Sequence, residues 1–141
     1  MQYARNVVFV CASLLAGSLS AAAAADPAFD TELLSIQQAW ARVNYEMPAG
    51  DARAQAFEAL EKRAEKFTQQ NPARAEALIW EGIVESSYAG AKGGLGALSL
   101  AKEARGNLEE ALKINPKALD GSAYTSLGTL YYKVPGFPLG F

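Results

Sequence analysis

The chain has 141 residues, 13 basic and 15 acidic side chains, one cysteine and no histidine. That inventory excludes a Ser-His-Asp set, a Cys-His pair and an imidazole metal site. A net charge of −2 argues against nucleic-acid binding, which wants clustered positive charge.

Residues 1–25 have the build of a secretory signal. Arg5 gives a positive start, Val7 to Leu19 form an apolar core, and Ala23-x-Ala25 offers small residues for cleavage before Asp26. Val10 precedes Cys11, which is the wrong setting for a lipidated cysteine. The alternative is an uncleaved anchor, although the apolar run is short for a spanning helix. No later segment approaches spanning length, so no membrane span is expected after signal cleavage. The expected location is periplasmic. The remaining stretch, 26–141, has no cysteine and must be held by packing without a disulfide. It is long enough for one small domain.

Residues 29–47 read as a first helix, with Phe29, Leu33, Ile36, Trp40, Val43 and Met47 on one stripe and Asp30 or Thr31 as its cap. Pro48-Ala49-Gly50-Asp51 is a turn, with Asp51 placed to cap the next helix. Residues 52–69 form that helix. Phe57, Leu60, Ala64 and Phe67 make its apolar stripe, and Glu58, Glu61 and Glu65 are expected in water.

Residues 73–88 carry Ala75, Leu78, Ile79, Gly82, Ile83 and Ser86 at helical spacing. Glycine in mid-helix costs about 1 kcal/mol against alanine, so Gly82 signals close approach by a neighbour. A glycine-rich connector over 89–98 then leads to a helix at 97–114, with Ala97, Leu100, Ala101, Ala104, Leu108 and Ala111 on its apolar side. Asn71-Pro72 and Asn115-Pro116 stop the helices before them, because the residue before proline leaves the helical region. Leu119-Asp120-Gly121 turns the chain into a fifth helix at about 121–133.

Ala104-x3-Leu108-x2-Ala111-x4-Pro116 resembles the second half of a tetratricopeptide repeat, and Tyr124-x2-Leu127-Gly128-x2-Tyr131 resembles the first half of the next. Leu78 and Gly82 hold the matching first-half positions upstream. Pro72 to Pro116 spans 44 residues, about ten more than that family's usual period of about 34, and the excess falls in the connector. The resemblance implies an all-α fold of antiparallel helix hairpins stacked as a right-handed array. It also implies a concave face lined by the first helix of each unit. Ser122, Thr125, Thr129 and Tyr132 would lie there in one unit, and Glu76, Ile79, Ile83 and Ser86 in the other. On this reading the last repeat is incomplete. Two accounts compete for its apolar end, which runs through Phe137, Leu139 and Phe141: truncation of a longer array, or a partner that covers it. Self-association through that end is a further option.

Two motifs invite chemistry. Glu81 and Glu85 are one helical turn apart and could split their pKa values in a dry cleft, but a solvated or packed helix face is the plainer reading. Gly90 to Gly96 is glycine-rich with Lys92 inside it, yet a phosphate loop needs Gly-Lys followed by Ser or Thr after a strand. No cofactor and no metal is expected. Trp40 and Trp80 could stack a ligand, although such residues more often anchor a core.

The sequence therefore points to a non-enzymatic, exported scaffold that binds a protein or peptide partner. The alternative is a transport-accessory or small-molecule-binding helical protein that uses the connector as a pocket wall.

Overall fold

The computed structural model describes residues 26–136. The leader read over residues 1–25 and the apolar residues Phe137, Leu139 and Phe141 lie outside them. Five helices follow in order: α1 (Pro27–Glu46), α2 (Asp51–Gln70), α3 (Ala75–Lys92), α4 (Gly94–Ile114) and α5 (Ser122–Lys133), with one 3-10 turn at Ala118–Gly121 before α5. No strand occurs among the described residues.

The ends of these helices follow local chemistry. The Asp26 carboxylate accepts the Ala28 and Phe29 amides at 3.1 and 3.2 Å, and Pro27 occupies the first helical turn. Asp26, and not Asp30 or Thr31, is therefore the cap. Thr31 spends its hydroxyl on the Pro27 carbonyl at 2.7 Å. Gly50 caps α2 at φ 142° and Asp51 is the first helical residue with no capping bond, so that expectation is corrected as well. Both Asn-Pro stops behave as read. Asn71 ends α2 with its amide on the Thr68 carbonyl, and Asn115 ends α4 with its amide on Ala111.

The glycine-rich connector is the largest departure. It is not a long loop. α3 continues through Gly90 to Lys92, and α4 begins at Gly94. The reversal rests on Gly93 and Gly94, both left-handed at φ 64° and 65°, a conformation that only glycine adopts cheaply. The residues read as a connector lengthen α3 and α4 instead of forming a loop.

Cross-helix contacts give the directions. Phe29 near the start of α1 stacks on Phe67 near the end of α2, with centroids 4.9 Å apart, so these helices are antiparallel. Arg63 reinforces the pair through Glu32 and Ser35, each at 2.8 Å. α3 and α4 are antiparallel too: Tyr88 packs with Leu100, and Leu78 with Leu108 and Ala111. α1 and α3 run parallel, since Arg74 lies over Phe29 and Trp40 bonds Ser87. α3 touches all four other helices.

The core is made of four clusters of buried side chains, two of which share Trp40 at their edges. Phe57, Ile36, Ile79, Leu108 and Val84 are its largest fully buried side chains. Each such burial contributes roughly 1.5–3 kcal/mol before conformational entropy is set against it. Gly82 sits where α3 crosses α4. A Cβ there would stand 2.8 Å from Leu108 Cγ and 3.0 Å from the Ala104 carbonyl oxygen. The close approach read from the sequence is real, and Ala104 is fully buried opposite it.

Candidate functional site

A groove of about 840 Å³ lies between the C-terminal halves of α1 and α3 and one side of α5, closed on one side by the start of α4. α1 supplies Trp40, Asn44 and Tyr45, α3 supplies Ile83, Ser86 and Ser87, and α5 supplies Thr125, Ser126, Thr129 and Lys133. Arg53 enters from the first turn of α2, and Gly94, Leu95, Ala97 and Leu98 from α4. The three odd-numbered helices meet in one surface because α1 and α5 both pack on α3.

Four of the eight sequence candidates line this groove: Ile83, Ser86, Thr125 and Thr129. The other four do not. Ile79 is fully buried against α4 and has no surface for a partner. The cause is that α3 is packed on several sides, so residues off its main stripe are buried too. Glu76 pairs with Arg74 at 3.3 Å, away from the groove. Ser122 is half-buried and donates to the Leu119 carbonyl at 2.6 Å, so it closes the turn. Tyr132 is 89% exposed and lies outside the groove lining.

Three hydroxyls of the groove have fixed roles. Ser86 donates to the Gly82 carbonyl at 2.7 Å, Ser87 to Ile83 at 2.9 Å and Thr129 to Thr125 at 3.0 Å. Their protons serve their own helices, and their remaining lone pairs face outward as acceptors. Trp40 Nε1 donates to Ser87 Oγ at 2.8 Å, and Trp80 meets the Trp40 ring edge-on at 5.7 Å. Trp80 thus anchors Trp40, and Trp40 is the one that forms the groove wall. Sequence reasoning offered Trp40 as a ligand-stacking residue or, more often, a core anchor, and passed over Asn44, Arg53, Ser126 and Lys133. A signal for α1 existed: its C-terminal half alternates apolar and amide groups on one side. Nothing local could have brought Arg53 of the next helix to the same place.

A second concavity, of about 310 Å³, is lined by Glu61, Glu65, Glu81, Glu85, Glu103, Gly106 and Asn107. Glu81 and Glu85 are buried, not solvated. Asn107 Nδ2 donates to Glu85 Oε2 at 3.0 Å. Burial, reinforced by Glu81, Glu103 and Glu61, pushes the Glu85 carboxyl up to about 8. Burial also raises Glu81 and Glu61, each with neighbouring carboxylates adding to it. Among the described residues no group of three or more acidic, histidine or cysteine side chains is arranged to hold a metal ion. At 100° per residue, the midpoint of Glu81 and Glu85 lies about 170° around α3 from the midpoint of Ile83, Ser86 and Ser87. The groove and the acidic cleft therefore occupy opposite faces of one helix.

No family model matches the chain, and no match is found among curated proteins or solved structures. Among the described residues no helix is long and apolar enough to cross a membrane.

Proposed function

We propose that the protein is a non-enzymatic, exported scaffold of tetratricopeptide-like, right-handed build that binds a peptide or protein segment in the groove between α1, α3 and α5. The observation that carries this reading is the groove's composition. It is an apolar channel of about 840 Å³, edged by hydroxyls and by side chains that solvent would not favour: Leu95 is 89% exposed and Tyr45 74%. Exposed apolar side chains gathered round a concavity mark binding surfaces. The groove walls are helical, so little ordering cost accompanies binding. Export rests on the leader-like residues 1–25 alone.

The test is selection of peptides from a random library displayed on phage, with the full chain as bait. Enriched sequences should be apolar, and they should lose binding to Thr129→Trp, in which an indole fills the groove from an exposed position. Thr129→Trp should keep the wild-type melting curve. Failure to enrich any peptide, or equal binding to Thr129→Trp, overturns the reading.

A second reading has its own support. The volume lies within the range of about 300–1,000 Å³ typical of small-molecule sites, and Gly90, Gly94 and Leu95 of the connector line it. A transport-accessory or small-molecule-binding protein would carry its ligand through purification, and native mass spectrometry would show a bound mass released on unfolding.

A further inference from the structure

The groove has a sign of charge that the chain as a whole lacks. Among the described residues its only charged lining side chains are Arg53 and Lys133, and no carboxylate lines it. The acidic residues of the neighbouring surface gather instead in the cleft on the other face of α3. Neither Arg53 nor Lys133 has a carboxylate partner among the described residues. Arg53 gives one nitrogen to Asn44 Oδ1 at 3.1 Å and lies 5.7 Å from the Phe57 ring centre. Its Nε is buried with no hydrogen-bond partner. Lys133 stands exposed in the last turn of α5. That position also suits the helix C-terminus, but the ammonium keeps its three donors for the groove.

Three of the groove hydroxyls, Ser86, Ser87 and Thr129, have committed their protons to helix carbonyls. The charge that an anionic group meets here is that of the two cations. A basic segment would find no counter-charge and would place like charges together in a partly dry channel, which is costly. A wholly apolar segment would bury its side chains and leave both cations without a partner.

We propose that the groove receives an apolar peptide segment carrying an acidic side chain, its carboxylate drawn by the positive charge that Arg53 and Lys133 give the lining. This rests on reading the groove as a peptide site. The apolar residues of the segment lie along Trp40, Ile83, Leu98 and Leu130, and the acid marks the register. The guanidinium supplies orientation and the ammonium a mobile point charge.

Trp40 is the natural reporter, since it is part of the wall. Its fluorescence is followed while the full chain is titrated with three capped peptides of one Leu-Phe-rich sequence, with a central Glu, Gln or Lys. A fourth peptide has the Gln sequence with a free C-terminal carboxylate, and the last probe is decanoate. The Glu peptide should bind at least about fivefold tighter than the Gln peptide, which is an ordinary gain for a charge-assisted bond. Lys133→Gln and Arg53→Gln should each shrink that ratio, and salt should shrink it as well. Lys133 is exposed, so its variant tests the idea even if Arg53→Gln unfolds. Equal binding of Glu and Gln peptides, both abolished by Thr129→Trp, overturns the acidic preference and leaves the peptide groove standing. A preference for the free C-terminal carboxylate over the Glu side chain also overturns it. Binding of decanoate alone, or of no probe, removes the peptide groove together with this inference.

Discussion

Glu85 is the residue whose environment departs most from its ordinary state. An unfolded glutamate titrates near 4.5, and this one is held up to about 8 by burial among other carboxylates. Between those values the folded chain keeps a proton that the unfolded chain has released. Stability therefore falls as pH rises from about 4.5 to about 8 and then levels off. Glu81 and Glu61 are raised as well and add slope of the same sign. Thermal melts of the full chain should show a lower Tm at about pH 8 than at about pH 5, by several degrees. Glu85→Gln keeps the shape and the contact with Asn107 while removing the charge. It should raise stability near pH 8 by a few kcal/mol at most and flatten most of the slope. A melt that rises with pH over this range, or a variant with an unchanged slope, contradicts the assignment. The sequence offered the Glu81–Glu85 pair as a candidate for shifted carboxyls, but Glu61, Glu65 and Glu103 have the spacing of solvated helix faces. Only the meeting of α2, α3 and α4 puts them in one cleft.

At the level of the helix, two glycines inside helices have opposite surroundings. Gly82 is pressed against Leu108 and the Ala104 carbonyl, while a Cβ on Gly128 would meet nothing within 4 Å. Gly82→Ala must displace α4, which outweighs the helix propensity that alanine gains. It should destabilise the chain by about 1–3 kcal/mol. Gly128→Ala gains propensity without a clash and should stabilise by up to about 1 kcal/mol. Urea denaturation of the two variants decides this, and the same sign for both would contradict the packing. Ala104→Glu places an unpaired charge at the α3–α4 crossing and should abolish cooperative unfolding as followed by circular dichroism. The helices themselves were largely legible, because apolar spacing, Gly82 and the Asn-Pro stops are local signals. The connector was not. Glycine density there suggested a loop, but only Gly93 and Gly94 adopt the left-handed backbone that a break requires. The remaining glycines sit within helix because the neighbouring packing outweighs their weak propensity.

Across the whole molecule, α3 divides two surfaces of opposite character. One side of it faces an apolar groove with two cations, and the other faces a cleft of glutamates. Half of the sequence candidates for binding fell in the groove, since α3 and α5 turn Ile83, Ser86, Thr125 and Thr129 toward one concavity. The other half failed for tertiary reasons. Ile79 is enclosed by α4, and Ser122 is absorbed by the turn before α5. The groove needs Trp40 and Arg53 from two different helices, and no short pattern encodes that meeting. Thr129→Ala should leave the melting temperature within about a degree of wild type, as expected for an exposed side chain. It should nonetheless weaken a groove-bound peptide by a few fold, as read from Trp40 fluorescence.

The most direct test of the groove is amide chemical-shift mapping of the full chain during titration with the capped Leu-Phe-Glu peptide. The account predicts that the largest shifts fall on Trp40, Arg53, Ser86, Ser87, Thr125 and Thr129, while Glu61 and Glu103 stay still. Shifts centred on the glutamate cleft, or on Tyr124 and Tyr132 of the outer face of α5, would contradict it.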